Sequence, residues 1–166
     1  DNVKLRATKL ASRGKDMPTM LWFSDLMEHA ENFTNFFTRP DSKILNYRNV
    51  HLVNMRNQGD SDHHASYDMD DMSADVMRYM DANKITMATI GGHGFGAKLA
   101  IATANANLER FTGVIALDGG PVDHKYHEAW YELKEYITFA HNMKLNEMEP
   151  SVALRAIETG ISCPKW

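Results

Sequence analysis

Residues 88 to 102, ATIGGHGFGAKLAIA, limit the architecture of this chain more than any other stretch. Met87-Ala88-Thr89-Ile90 is short and apolar, and from Ala97 onward Leu99, Ala100, Ile101 and Ala104 recur at helical spacing, so a strand passes through a glycine turn into a helix. Two chemistries use a turn this sharp. In a dinucleotide-binding turn, Gly92, Gly94 and Ala97 satisfy G-x-G-x-x-G/A, and the N–H groups opening the helix face a pyrophosphate. In the G-x-S-x-G turn a strained residue lifts its side chain above the sheet, and Gly92-His93-Gly94-Phe95-Gly96 fits that frame with glycine at the apex.

The flanking segments set the turn in an alternating pattern. Val3 to Leu10, Thr19 to Phe23, Asn49 to Met55 and Gly113 to Leu117 read as further strands. Glu28 to Phe37, Asp68 to Asn83 and Ala97 to Asn107 read as helices, with Met69, Met72, Val76, Met77 and Met80 filling a core face of the second. Strands alternating with helices imply an α/β fold with a mostly parallel sheet of about five strands covered on both faces. The chain is expected to be one domain, residues 1–166, with a sheet core over 1–121. Over 122–166 the sequence turns aromatic and helical.

Composition removes whole classes of function. The net charge is -4, and with no clustered basic face the chain is not expected to bind nucleic acid. No apolar run reaches the ~20 residues of a membrane helix, so it is not read as a transmembrane protein. The single cysteine, Cys163, rules out an internal disulfide framework and fits a reducing compartment.

Four motifs in order carry a family resemblance. Asn54-Met55-Arg56-Asn57-Gln58-Gly59-Asp60-Ser61 resembles the D-x-R-N-H-G-D-S loop of small esterases of the α/β-hydrolase family. Met72-Ser73-Ala74-Asp75-Val76 is similar to its M-A-x-D-V helix, and Ile90 to Lys98 to its L-x-G-H-S-M-G-G-K elbow. Leu117-Asp118-Gly119-Gly120-Pro121 resembles the V-D-x-x-P that ends the next strand.

The resemblance implies an elbow serine that attacks an ester or amide carbonyl, a histidine that takes its proton and an acid that orients the histidine. Gly94 supplies no hydroxyl, and the family's His-Gly pair after the second strand is replaced by Ser24-Asp25, whose carboxylate is expected to repel a developing oxyanion. Asp118 is either a remnant of the triad acid or the cap of its own turn. The family's last strands and histidine follow a lid, whereas this sequence ends at Trp166 within lid-like helices, so the expected fold is an α/β-hydrolase core reduced at its C-terminal end. No catalytic residues and no cofactor are expected, with Gly92, His93, Gly94, Phe95 and Gly96 as a degenerate elbow and Ser24 and Asp25 as a degenerate oxyanion loop.

The expected function is therefore that of a catalytically inactive, hydrolase-like protein serving as a structural or interaction subunit of a larger complex. Other subunits would cover an open sheet edge and contact Trp130, Tyr131, Tyr136 and Phe139, although ordinary packing explains that aromatic helix equally well. The alternatives are an esterase-like hydrolase, either completed by a second chain or working through His93 and Asp118 without a serine, and a ligand sensor that keeps the pocket without the chemistry. Related small esterases occur in bacteria and mitochondria, and a start at Asp1 suits an imported, processed protein, so the expected location is mitochondrial. His63-His64 and His124-x-x-His127 have no third ligand at convincing spacing, and the acidic run Asp60, Asp62, Asp68, Asp70 and Asp71 lacks the glycine and glutamate of a calcium loop, so no metal is expected.

Overall fold

The computed structural model describes residues 2–122, 131, 134, 135, 138, 142 and 148–160. The chain divides into two compact units, Asp1–Pro121 and Val122–Trp166.

The first unit is a five-stranded sheet: β1 (Arg6–Leu10), β2 (Thr19–Phe23), β3 (Asn49–Asn54), β4 (Ala88–His93) and β5 (Phe111–Leu117). Their spatial order is β1-β3-β2-β4-β5; β1 pairs antiparallel with β3, and all other pairings are parallel. The α/β fold with a mostly parallel sheet is as the sequence implies. Successive side chains of a strand point to opposite faces, and β2 divides accordingly. Leu21 and Phe23 join Val53, Ile90, Met72, Val76, Met80, Leu99 and Ala100 in one core, beneath α2 (Met69–Ala82) and α3 (Phe95–Ala106). Met20 and Trp22 join Phe37, Leu45, Val50 and Leu52 on the other face. Burying one such side chain fully contributes about 1.5–3 kcal/mol, so the sheet is held from both sides.

Two elements depart from the sequence reading. The helix expected over Glu28 to Phe37 is a 3-10 turn, Ala30–Phe33, followed by the short α1, Thr34–Thr38. Side chains take the backbone groups a longer helix would need: Ser24 Oγ donates to the Glu28 carbonyl (3.0 Å), and Ala30 N–H donates to Asn54 Oδ1 (2.9 Å). Strand β4 continues three residues past Ile90, because Gly91, Gly92 and His93 stay in register with Ile115, Ala116 and Leu117. Met72 and Met80 are core residues as expected, while Met87 is half exposed.

β5 is an edge strand whose Val114, Ile115 and Leu117 are exposed. In the second unit the described residues include α4 (Pro150–Gly160) and an exposed Tyr131; Trp130, Tyr136, Phe139, His124 and His127 lie outside the described residues. Among the described residues no helix is long and apolar enough to cross a membrane.

Candidate functional site at the elbow

Strands β2, β3 and β4 all end at one rim of the sheet, where ligands of open parallel sheets bind. The turn after β4 is held by Gly94 N–H donating to the Leu117 carbonyl at 2.9 Å. Gly94 adopts φ 55° and ψ -117°, a conformation that glycine reaches without a Cβ penalty. Close packing beneath the turn also requires glycine: a Cβ at Gly96 would lie 2.5 Å from the Ser24 carbonyl oxygen, and one at Gly92 would lie 2.4 Å from the Gly96 carbonyl carbon. Gly119 admits the Gly94 carbonyl in the same way, since a Cβ there would stand 2.3 Å from it.

Asp25 reaches this turn from the end of β2. Its Oδ1 accepts from Leu26 N–H at 2.8 Å and from Phe95 N–H at 2.7 Å, so one backbone donor from the β2 loop and one from the start of α3 converge on a single oxygen. Two such N–H groups are what an oxyanion hole needs, one following the elbow residue and one from the strand-to-helix loop. A Cβ built at Gly94 would lie 2.2 Å from Asp25 Cγ and 2.3 and 2.4 Å from Oδ2 and Oδ1. The carboxylate therefore fills the space of an elbow side chain. It also sits where the dinucleotide reading would put a phosphate, at the opening of α3.

The backbone around Asp25 is fixed from both sides. Its N–H donates to Glu28 Oε2 at 3.0 Å, and its carbonyl accepts from Gln58 Nε2 at 2.9 Å. Ser24 is fully buried, and its hydroxyl is spent on the Glu28 carbonyl. Glu28 Oε2 also faces His93 Nδ1 at 3.4 Å, and Phe33 packs 5.8 Å from the His93 ring. The structure thus gives His93 a partner in Glu28, whereas Asp118, an exposed residue with φ 51°, lies past the end of β5. Tyr67 stacks on Phe95 at 5.8 Å, and its hydroxyl pKa is raised, first by burial and further by the Asp25 charge against an opposing effect of Arg56.

The loop following β3 explains why two separated motifs occur together. Arg56 and Asp75, each 1% exposed, form an ion pair at 2.6 Å that ties the loop to α2, and Arg78 also pairs with Asp75. Arg56 donates as well to the carbonyls of Ser66 and Asp71, so its buried charge is well satisfied. Ser61 Oγ donates to the Asn54 carbonyl at 2.7 Å and accepts from Arg6 N–H at 2.8 Å, and this closes the loop so that Gln58 reaches Asp25. Among the described residues no three His, Cys, Asp or Glu side chains are placed to hold a metal.

Glu28, Leu26 and Gln58 were not singled out from the sequence. Glu28 follows Asp25 by only three positions, and Gln58 stands within the Asn54 to Ser61 motif, but Leu26 contributes through its backbone and leaves no signature in side-chain chemistry.

The sequence matches no protein-family model. It is 26% identical over 130 residues to an abhydrolase domain-containing protein of Schizosaccharomyces pombe, covering 78% of this chain and 44% of that protein. It is 32% identical over 81 residues to the Escherichia coli esterase YbfF, covering 49% of this chain and 32% of that protein. The chain thus spans less than half the length of these curated relatives. Among solved structures, a marine microorganism esterase superposes with a TM-score of 0.81 at 18% identity, over 98% of this chain and 60% of the esterase.

These likenesses correct the expectation of a protein that is not an enzyme: the esterase relative and the esterase fold neighbour point to enzymatic function. They give no support to a mitochondrial location or to a role as a structural subunit. In sheet order and in the turn that follows β4, the chain has the α/β-hydrolase fold.

Proposed function

We infer that this chain carries the reaction centre of a hydrolase, which adds water to a small neutral substrate at the elbow. One observation carries the reading: Leu26 N–H and Phe95 N–H converge on a single oxygen at 2.8 and 2.7 Å, a preorganised pair of donors for negative charge. A fold that only needed to pack would not have to aim donors from two separate elements at one point beside the strand ends. The esterase and abhydrolase relatives support the same class of reaction.

The exposed Val114, Ile115 and Leu117 on edge strand β5 favour a second component of the reading. Unpaired N–H and C=O groups beside apolar side chains are normally covered, so we read β5 as the docking edge for polypeptide outside this sequence, from the same protein or another. The test is to purify the protein with its native companions and assay a panel of short-chain esters, thioesters and epoxides. Turnover that falls at least tenfold in Asp25→Ala supports the reading; no hydrolysis of any class refutes it.

A further inference from the structure

The rim opposite the elbow, where β2, β3 and β4 begin, holds a cavity of about 410 Å³. Lys9 stands opposite His51 in the pairing of β1 with β3, and Thr19 opens the neighbouring β2, so the three share the sheet face that α2 covers. Lys84 and Thr86 enter from the segment that links α2 to β4. Among the described residues no carboxylate lines this cavity, although the chain carries a net charge of -4. Asp81, near the end of α2, is already paired with Arg110 at 2.8 Å.

Neither lysine is used up by the fold. Among the described residues Lys9 Nζ donates to the neutral Asn83 Oδ1 at 2.6 Å, and neither Lys9 nor Lys84 forms an ion pair. Capping of α2 does not occupy them, because the chain itself takes the terminal carbonyls. Tyr79 accepts from Asn83 N–H and Nδ2, Met80 from Ile85 N–H at 2.9 Å, and Asp81 from Lys84 N–H at 3.0 Å. His51 adds a neutral donor. Burial, and then the charge of Lys9, lowers its pKa to about 4, while burial pushes the Tyr79 hydroxyl up to about 12. The protonated hydroxyl donates to His51 Nδ1 at 3.0 Å, and a neutral imidazole that accepts there carries its proton on Nε2.

Two ammonium groups among neutral donors match a dianion better than a single carboxylate, which would leave one positive charge uncompensated. A phosphate monoester carries about -1.5 to -2 at neutral pH and offers several acceptor oxygens. Met17, Pro18 and Met87 supply apolar lining for its organic part. We propose that this cavity binds a phosphate monoester, with Lys9 and Lys84 on the phosphate and the carbon skeleton against Met17, Pro18 and Met87. Thr19 and Asp25 are six residues apart along extended chain, about 20 Å. Occupancy of the cavity therefore goes beyond the hydrolase reading and is independent of any chemistry at the elbow.

The experiment is calorimetric titration of the full chain with phenyl phosphate and with inorganic phosphate at one fixed ionic strength. Phenyl phosphate should saturate a single site, and inorganic phosphate, lacking the apolar part, should bind at least threefold more weakly. The double variant Lys9→Met/Lys84→Met keeps the aliphatic stems and should lose at least tenfold in affinity, with each single variant in between. Lys4→Met, beyond the other end of β1, should change it by less than twofold. Vesicles of phosphatidylcholine with phosphatidic acid distinguish the source of the ester: capture that is lost in the double variant assigns it to a lipid headgroup, and no capture assigns it to a soluble molecule. Both support the site. Absence of saturable phenyl phosphate binding overturns the proposal, as does binding that survives the double variant or falls equally in Lys4→Met; the hydrolase reading stands in each case, since no turnover enters the measurement.

Discussion

Restoring a side chain at the elbow sets two groups in competition for one volume. In Gly94→Ala, the φ of 55° and ψ of -117° cost about 1–3 kcal/mol for any residue with a Cβ. The new methyl would also stand 2.2 Å from Asp25 Cγ, so the carboxylate must leave. Its departure strips Leu26 and Phe95 N–H groups of their acceptor; at this half-exposed rim, about 1 kcal/mol is lost for each. Gly94→Ala should therefore cost about 3–5 kcal/mol in total. In an Asp25→Ala background the carboxylate is already absent and only the backbone strain remains, about 1–3 kcal/mol. Urea unfolding of the four proteins in this cycle should yield a coupling of about 2 kcal/mol. Additivity within about 0.5 kcal/mol would show that the carboxylate does not occupy the elbow and would undo the argument for its role.

Three further outcomes follow from the packing. Arg56→Met leaves Asp75 buried with Arg78 alone and should cost about 3 kcal/mol in denaturant unfolding, while adding Asp75→Leu should recover much of the loss; a near-neutral single variant would refute a tight pair. Gly96→Ala would drive a methyl against the Ser24 and Phe23 carbonyl oxygens at 2.5 and 2.6 Å and should cost about 3 kcal/mol, whereas a melting temperature equal to the parent's would contradict the contact. Burial, with Lys9 adding to it, lowers the pKa of His51 from 6.5 to about 4, and its Nδ1 lies 3.0 Å from the Tyr79 hydroxyl. Between those values the unfolded chain binds a proton that the folded chain does not, so stability is full above pH 6.5, is lost as the pH falls towards 4 and levels off below it. Allowing for the partial exposure of His51, the loss is about 1–2 kcal/mol, and His51→Gln should flatten that part of a stability-against-pH curve.

The strand-turn-helix around Gly94, the alternation of strands and helices, and the likeness of four ordered motifs to the α/β-hydrolase pattern are legible in the residues alone. Each of these is a local property: apolar periodicity and glycine content act over a few residues, and they need no partner from elsewhere in the chain. The Glu28 to Phe37 helix was misread because its backbone groups are taken by Ser24 and by Asn54, and a periodicity argument does not see distant competitors. What Asp25 touches is set by the fold. From sequence it was a carboxylate that should repel an oxyanion; in the fold it is the group the oxyanion donors bind, because parallel pairing of β2 with β4 brings residue 25 against residues 94 and 95. The pairing of Arg56 with Asp75 and the grip of Gln58 on Asp25 have the same origin. Hydrogen-bond geometry is set by distances in space, and residues far apart in sequence acquire those distances only when the sheet has closed.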